Sequence, residues 1–335
     1  MASADVLGTV ASMRLAEYRD AAAVKEVPTR NGFGEGLVEA GKRNRNVLAI
    51  CADLVESTRM EAFKRALPAQ YIEIGVAEQM LVAMAAGLAS VGKIPFIASY
   101  AMFNPGRSWE QVRTTMALNE TNVKIAGAHA GVSVGPDGAT HQAIEDIALM
   151  RVIPQMTVVV PCDAIQTKRA TLAVAERFGP AYLRFAREKS AVVTTEATPF
   201  QIGKAQIFRD GGDVAIVACG ILVYNALVAA DELAEEDGIA CTVVNNHTIK
   251  PMDEPAILAA ARRCGTVVTV EEHQIHAGMG SRVAEILAQH YPVPIEFVGV
   301  RDRFGQSGDP VELIEHYGMG TAAIKEAVRA ALKRK

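Results

Sequence analysis

The sequence predicts an α/β protein made of two successive three-layer α/β/α domains, each built on a largely parallel sheet. Three observations carry this. Short apolar strands alternate with helical stretches, the pattern of strands joined by crossover helices. The alternation runs to about residue 185, is interrupted by a polar, β-branched, Pro-containing stretch at 191–201 (AVVTTEATPFQ), and then restarts. The 335 residues are 50% hydrophobic but only 5% aromatic, which suits two domains of ordinary size with Ala/Val-rich packing. The boundary is expected near residue 195. This gives an N-terminal helical arm over 1–26, a first domain over 27–195 and a smaller second domain over 196–335.

Taken in order, Arg30 to Gly41 opens a helix, and Asn46 to Asp53 (NVLAICAD) reads as an apolar strand ending in an acid, followed by the polar loop Leu54–Thr58. Tyr71 to Tyr100 is the stretch on which the first domain is centred. Ile72 and Ile74 alternate with polar neighbours as in a strand, Gly75 breaks it, and from Met80 to Leu88 almost every position is apolar. That helix is expected to be buried on all sides. Glu78 stands at its head. An unpaired carboxylate there is costly, so it is either bonded to a neighbouring backbone amide or set aside for chemistry.

Trp109–Leu118 then reads as a helix and Val123–Ala128 as a strand. GVSVGPDGATHQ (131–142) is a Gly-rich loop. A helix over 143–150, a strand at Thr157–Val160, a helix over 163–177 and a strand at Ala181–Phe185 complete the block. In the second block the strands are Val214–Ala218, Ala240–Val244, Thr266–Val270 and Ile295–Val298. Its helices lie near 221–236, 254–263, 279–289 and 321–333.

Composition narrows the function. A net charge of −4 argues against nucleic acid or an anionic membrane as partner, without excluding small basic pockets for phosphates. Five Cys (51, 162, 219, 241 and 264) show no CxxC spacing and no even framework, which suits a reducing compartment. No apolar run reaches transmembrane length. The first 25 residues carry Asp5, Glu17 and Asp20 and lack a continuous apolar core, unlike a signal peptide. A cytoplasmic protein is expected. Neither block carries GxGxxG, and GMG at 278–280 is too little to propose dinucleotide binding.

Several polar residues fall where α/β folds hold ligands. Asp53 ends a parallel strand, where such folds bind in the crevice at the carboxyl ends. Ser57 follows in the loop and could equally be a helix N-cap. Tyr100 and Phe103 follow the strand after the Glu78 helix and could be core. His129 and His141 flank the Gly-rich loop, in which Asp137 and Thr140 alone would read as turn chemistry. Arg184 and Arg187 lie in LRFAREK at a strand end, on opposite sides of an extended chain; an ion pair with Glu188 would be the bland reading of Arg187. His247, His273 and His276 match no strong metal-ligand spacing.

The motifs ADLxxST, GVAEQ, GxxxGPDGATHQxxEDIALMR and LRFAREK, in this order over roughly residues 28 to 333, resemble transketolases. The likeness is to their thiamine-diphosphate pyrimidine-binding domain followed by the smaller transketolase C-terminal domain, and is closest to the C-terminal subunit of split bacterial enzymes. In that group the Glu of GVAEQ bonds to the aminopyrimidine of the cofactor, and Glu78 falls on it. A proton shared with the ring nitrogen drives the ring's amino group to its imino form, which can then deprotonate the thiazolium carbon. This is acid–base work done through the cofactor.

The resemblance implies further roles. Tyr100 and Phe103 would stack on the pyrimidine, and Asp53 would lie near the thiazolium side. Arg30, Ser57, His129 and Arg187 would hold the sugar phosphate. His141 would meet the donor's hydroxyls or carbonyl, taking part in catalysis with Glu78, and Asp137 would sense the hydroxyl configuration. Guanidinium suits a phosphate because it donates in a planar fork. The second domain would be structural and dimerising, with Glu271 and Glu272 closing its interface with the first.

Members of the group hold the diphosphate and its Mg²⁺ with a GDG motif, and no GDG occurs in this sequence. The resemblance therefore implies half an active site. An N-terminal transketolase subunit would carry GDG and hold Mg²⁺ (or Ca²⁺), and two copies of each chain would form a heterotetramer acting on sugar phosphates in the pentose phosphate pathway. Two rivals stay within the chemistry: an enzyme like 1-deoxyxylulose-5-phosphate synthase, or a 2-oxoacid dehydrogenase β-subunit. GPDGATHQ with AREK favours transketolase over both. A third, a non-catalytic assembly or regulatory homologue, is disfavoured by the intact Glu78, His129, Asp137 and His141.

Overall fold

The computed structural model describes residues 13–335. Its strands in the first half are β1 (Glu26–Pro28), β2 (Val47–Cys51), β3 (Tyr71–Glu73), β4 (Ile94–Tyr100), β5 (Lys124–Ala128), β6 (Thr157–Val159), β7 (Ala181–Arg184) and β8 (Lys189–Ala191). The second half adds β9 (Gln206–Arg209), β10 (Val214–Ala218), β11 (Cys241–Asn245), β12 (Thr248–Lys250), β13 (Val267–Gln274) and β14 (Ile295–Val300). β2 (VLAIC), β5 (KIAGA) and β10 (VAIVA) are buried at every position, as central parallel strands covered on both faces must be.

The first sheet has the order β12-β6-β7-β5-β4-β2-β3, with β6 through β3 mutually parallel. From β2 the chain steps outward to β3, then crosses back to β4 on the other side. The carboxyl ends of β2 and β4 thus flank a topological switch point, where such folds leave a crevice. Helices Thr29–Arg43 and Ala164–Glu176 cover one face of this sheet, packing on each other, with Phe33 and Leu37 of the first clustered with Phe96 and Phe185. The other face carries helix Glu78–Ser90.

The second sheet runs β14-β13-β10-β11-β9, parallel except for β9 at one edge. Helices Val223–Asp237 and Thr321–Lys333 lie on one side of it. Helices Glu254–Cys264 and Met279–His290 lie on the other. One apolar cluster joins Leu81, Ile147 and Met150 of the first half to Ile257, Val283 and Leu287 of the second. The two sandwiches therefore share a core.

The structure departs from the sequence reading in five places. β12, drawn from the polar NNHTIKP stretch, adds to the first sheet antiparallel to β6, although it lies well beyond residue 195. Helix Glu78–Ser90 is not buried on all sides: Leu81, Val82, Ala85 and Ala86 face inward, while Met80 is 53% exposed and the flanking Val76 and Val91 are 70% and 72% exposed. Uniform apolarity cannot say which face meets the sheet. The stretch 109–118 is one α-helical turn followed by a π-helix over Val112–Ala117. The helix expected over 143–150 begins only at Asp146, because Ala143 bridges to Ala130 and stays extended. Of the expected N-terminal helical arm, 1–12 fall outside the described residues, and 14–25 are irregular chain with Tyr18 buried against the second domain's core.

The helix pair on the first sheet sets a testable constraint. A Cβ on Gly32 would lie 1.9 Å from the Ala164 carbonyl oxygen, and one on Gly36 2.8 Å from that of Lys168. Backbone cannot move aside cheaply at such a crossing. Gly32→Ala should destabilise the fold by about 1–3 kcal/mol, the range for overpacking, despite Ala's better helix propensity. A fall in the urea midpoint at unchanged slope is expected; a midpoint at or above the wild type would contradict the packing.

Candidate active site

The crevice at the carboxyl ends of β2, β4, β5 and β7 collects most of the residues singled out from the sequence. Glu78 is the first residue of its helix and is 3% exposed. The helix N-terminus favours its charge. Its carboxylate is nevertheless held only by long contacts: Ser99 Oγ and Arg107 Nη1 each donate to it at 3.4 Å. The neighbouring-amide reading of Glu78 is not what the structure has.

Beside it stands a wall of rings. Tyr100, at the end of β4, stacks on His129 with centroids 4.0 Å apart, and on Phe103 at 6.2 Å. His141 meets Tyr100 and Phe103 edge-on at 6.0 and 5.3 Å. The Arg107 guanidinium lies 5.4 Å from the centre of the Phe103 ring. Tyr100, Phe103, His129 and His141 are thus one cluster, with Arg107 linking it to Glu78. His129 has a positive φ of 55° as β5 ends, which turns its ring into the crevice.

The far side of the cluster is cationic. Arg30, in the first turn of its helix, donates from Nη1 to the Ser57 carbonyl at 3.0 Å, while its Nε is buried without a partner. Arg59 holds Asn31 through Nε at 3.0 Å. Arg187 donates to the Val134 carbonyl at 3.0 Å and pairs with Asp137 at 3.3 Å and Glu188 at 3.2 Å. The Glu188 pairing expected as the bland alternative is present, but it is shared with Asp137. Burial lowers the Arg30 pKa, and Arg59 adds to the effect. Burial, together with Arg30, Arg187 and Arg59, pushes His129 down to about 3 and leaves Nδ1 buried and unpartnered. Converging guanidinium groups with spare donors fit an anion.

Asp53 ends the same crevice on the β2 side. It has φ 60° and an exposed side chain, and its N–H donates to Glu73 at 2.8 Å. Ser57 enters through its carbonyl; it does not cap a helix. Arg184 is directed away, as alternation required, into a buried pair with Asp146 at 2.8 Å. Glu272 does close the domain interface, accepting the Ser133 N–H at 2.6 Å, whereas Glu271 caps the helix at Met279 and Gly280. His247 and His273 are core residues, and no group of three His, Cys, Asp or Glu converges as a metal site among the described residues.

The sequence reading missed Arg59, Arg107 and Glu73. Arg59 was the most accessible of these, a second cation two residues past Ser57 in ADLVESTR. Arg107 had no local signal, since its partner Glu78 is 29 residues away, and Glu73 reaches Asp53 across 20 residues while also bonding its neighbours Tyr71, Ile74 and Gly75.

His129 makes the electrostatics testable. Its ring takes up a proton less readily than the unfolded chain's. As pH falls below the ordinary value of 6.5, the unfolded state binds the proton first and folding stability declines towards pH 3. Histidine NMR should show no titration of the His129 ring between about pH 8 and pH 5. A midpoint near the ordinary value would refute the buried, cation-flanked description.

Residues 25–191 match the transketolase pyrimidine-binding domain, and residues 203–324 match the transketolase C-terminal domain. A protein of Methanocaldococcus jannaschii named for the C-terminal section of transketolase is 42% identical, over 91% of this chain and 96% of its own length. A 6-deoxy-6-sulfo-D-fructose transketolase subunit of a Clostridium species is 40% identical over 90% of this chain and 92% of its own. A solved structure titled as a split gene transketolase, inactive β4 tetramer, superposes with a TM-score of 0.87 at 43% identity, covering 92% of this chain and 99% of the other. The pyrimidine-binding match implies a part in binding thiamine diphosphate. With both domains matched in order, the chain belongs to the transketolase family and corresponds to its C-terminal section.

Proposed function

We propose that this chain is the C-terminal subunit of a thiamine-diphosphate-dependent transketolase. It would move a two-carbon ketol unit between sugar phosphates, and it would complete its active site with an N-terminal subunit carrying the GDG motif. The observation that carries this reading is Glu78: a buried carboxylate at a helix N-terminus, held only at 3.4 Å, beside an aromatic wall and opposite a cationic pocket. Those residues fit the pyrimidine half of the cofactor, which needs an acid for a ring nitrogen and a flat apolar face.

Thiamine diphosphate, when bound, supplies the carbon nucleophile that carries the ketol unit. The rest is done by this chain's residues. Glu78 holds the proton that the pyrimidine ring shares. Tyr100 and Phe103 bind the ring by stacking and exclude water from it. Asp53 bounds the thiazolium side. His141 hydrogen-bonds the donor's hydroxyls, and Asp137 reads their configuration. Arg30, Ser57, His129 and Arg187 bind the sugar phosphate, with Arg59 added to them. His129 is kept neutral by its surroundings, so it donates without adding a charge to a crowded cationic site.

The partner supplies the diphosphate and Mg²⁺ (or Ca²⁺) contacts, and two copies of each chain pair with two-fold symmetry. Support for a partner comes from the exposed apolar side of helix Glu78–Ser90 and from relatives that are themselves split. We take the division at residues 27–195 and 196–335 as the functional one, and place the protein in the cytoplasm, where five free buried cysteines suit a reducing milieu. The pentose phosphate pathway is the setting we favour.

Mixing this chain with its GDG-bearing partner, cofactor, Mg²⁺ and a ketose phosphate should give ketol transfer, while the chain alone should give none. Full transfer by the isolated chain would sink the split-site reading. In the mixture, Glu78→Gln should lose at least about 10²-fold in turnover, the low end for acid–base effects, with its melting temperature kept.

Arg187→Ala should mainly weaken phosphorylated substrates, by roughly 1.5–3 kcal/mol for a charge-assisted contact. An equal loss on non-phosphorylated sugars would mean that Arg187 does something other than bind phosphate.

A further inference from the structure

The second domain has no side chain in the ring cluster or the cationic pocket, yet it reaches the loop that joins them. Towards its end β13 carries a buried pair of acids, Glu271 and Glu272. Glu272, 3% exposed, turns its carboxylate into the Gly-rich loop of the first domain, where Oε1 accepts the Ser133 N–H at 2.6 Å and Oε2 is buried without a partner. Gly131 has φ 93°, and a Cβ there would lie 2.2 Å from the Glu272 carboxyl. Only glycine lets the loop descend onto this carboxylate. Below, Arg184 donates to the Glu272 carbonyl at 2.7 Å and is itself held by Asp146.

We propose that Glu272 is a positioning residue for substrate recognition: through the Ser133 amide it fixes the loop that carries His129 at one end and Asp137 and His141 at the other. What the loop recognises rests on the ketol-transfer reading; its geometry does not.

A carboxylate is a costly group with which to fill a domain interface. An apolar side chain would close a domain interface at less cost than a buried acid. Burial does raise the Glu272 pKa, while Arg184 and the Ser133 N–H oppose the rise. What a carboxylate adds is direction, since it holds one amide at one distance.

The loop has other restraints: the Gly131 N–H donates to the Ala143 carbonyl at 2.8 Å, and Pro310 and Ser307 of the second domain pack against Gly135 and Gly138. Gln142 Nε2 reaches the carbonyls of Val132 at 3.0 Å, Gly135 at 3.3 Å and Gln306 at 2.9 Å, and Arg187 takes the Val134 carbonyl. Arg187 belongs to the site itself, and Gln142 belongs to the loop, though it also reaches the second domain through the Gln306 carbonyl. Glu272 is fixed from outside the loop. Misplacing a recognition group by about 1 Å can cost on the order of 10²-fold in rate.

The test uses the full-length chain, alone and assembled with its partner, as Glu272→Ala and Glu272→Gln. In Glu272→Ala, amide hydrogen exchange over 132–142 should quicken by about tenfold or more, with the rest of the chain unchanged. In the assembled enzyme, kcat/KM for the ketose phosphate donor should fall by about 10²-fold, while thiamine diphosphate affinity by calorimetry holds. Glu272→Gln, whose amide oxygen still accepts the Ser133 N–H, should restore both readouts to within a few-fold.

Wild-type exchange in the loop of Glu272→Ala would overturn the proposal. So would parallel losses of melting temperature, cofactor affinity and donor kcat/KM, or a Gln variant no better than Ala. If Glu272→Ala does not fold, Glu272→Met fills the space without an acceptor and is read the same way. Should the wild-type mixture show no ketol transfer, the transketolase reading fails, and loop exchange alone still decides the role of Glu272.

Discussion

The Arg184–Asp146 ion pair is the contact on which the junction of the two sheets depends. Both side chains are almost fully buried, at 5% and 1% exposure, and they meet at 2.8 Å. Removing two charges from water costs several kcal/mol each, and the attraction offsets that only when further hydrogen bonds complete the shell. Here the Tyr182 hydroxyl donates to the same Asp146 oxygen at 2.6 Å and Arg184 reaches across to the Glu272 carbonyl, while the second Asp146 oxygen is buried without a partner. Burial alone would ease the proton off Arg184, but Asp146 and Glu272 outweigh it, so its pKa is raised. The charge stays, and with it the geometry. β7, the helix beginning at Asp146, and β13 are held at one point, and the crevice lies directly above.

This arrangement explains how the crevice keeps two unlike ends apart. At one end an acid and two aromatic rings offer a site for a flat heterocycle. At the other, Arg30, Arg59 and Arg187 gather around a histidine that their own field and its burial keep neutral. The Gly-rich loop spans the two ends. Its glycines at 131, 135 and 138 all have positive φ and all lie against second-domain atoms: Glu272, Pro310 and Ser307. The loop is therefore moulded on the second domain more than on its own sheet, which gives that domain a part in the site without a residue among the reacting groups.

Much of this was legible in the sequence. Parallel strands buried on both faces announce themselves as apolar runs, so β2, β4, β5, β7, β10, β11 and β13 were found close to their positions, as was the half-buried edge strand β14. Glu78 stood out because a charge heads an apolar helix. His129, Asp137 and His141 stood out because they bracket glycines. The rest was not legible, for physical reasons. β12 has no apolar run, since a three-residue edge strand is specified by its partner β6 and not by its own pattern. Arg107 pairs with Glu78 across 29 residues, and Glu272 with Ser133 across 139. Neither pairing leaves a local trace. Asp146 and Arg184 read as two ordinary charges until the fold buried both.

Helix Glu78–Ser90 joins the chemistry to assembly. Its inner side, Leu81, Val82, Ala85 and Ala86, is fully used by the core. Its outer side repeats small and apolar residues at helical spacing, with Val76, Met80, Ala83, Gly87 and Val91 all exposed in this chain. Single exposed apolar residues are normal on a surface, but a row of them along one helix is what interfaces are made of. A monomeric protein would gain solubility by making that row polar, at no cost to the core. The row begins beside the one carboxylate that the proposed reaction cannot do without. In the proposed assembly, whatever covers this helix also closes the crevice at Glu78. The acid is already buried in this chain, so covering the helix makes exclusion of water and completion of the site a single event.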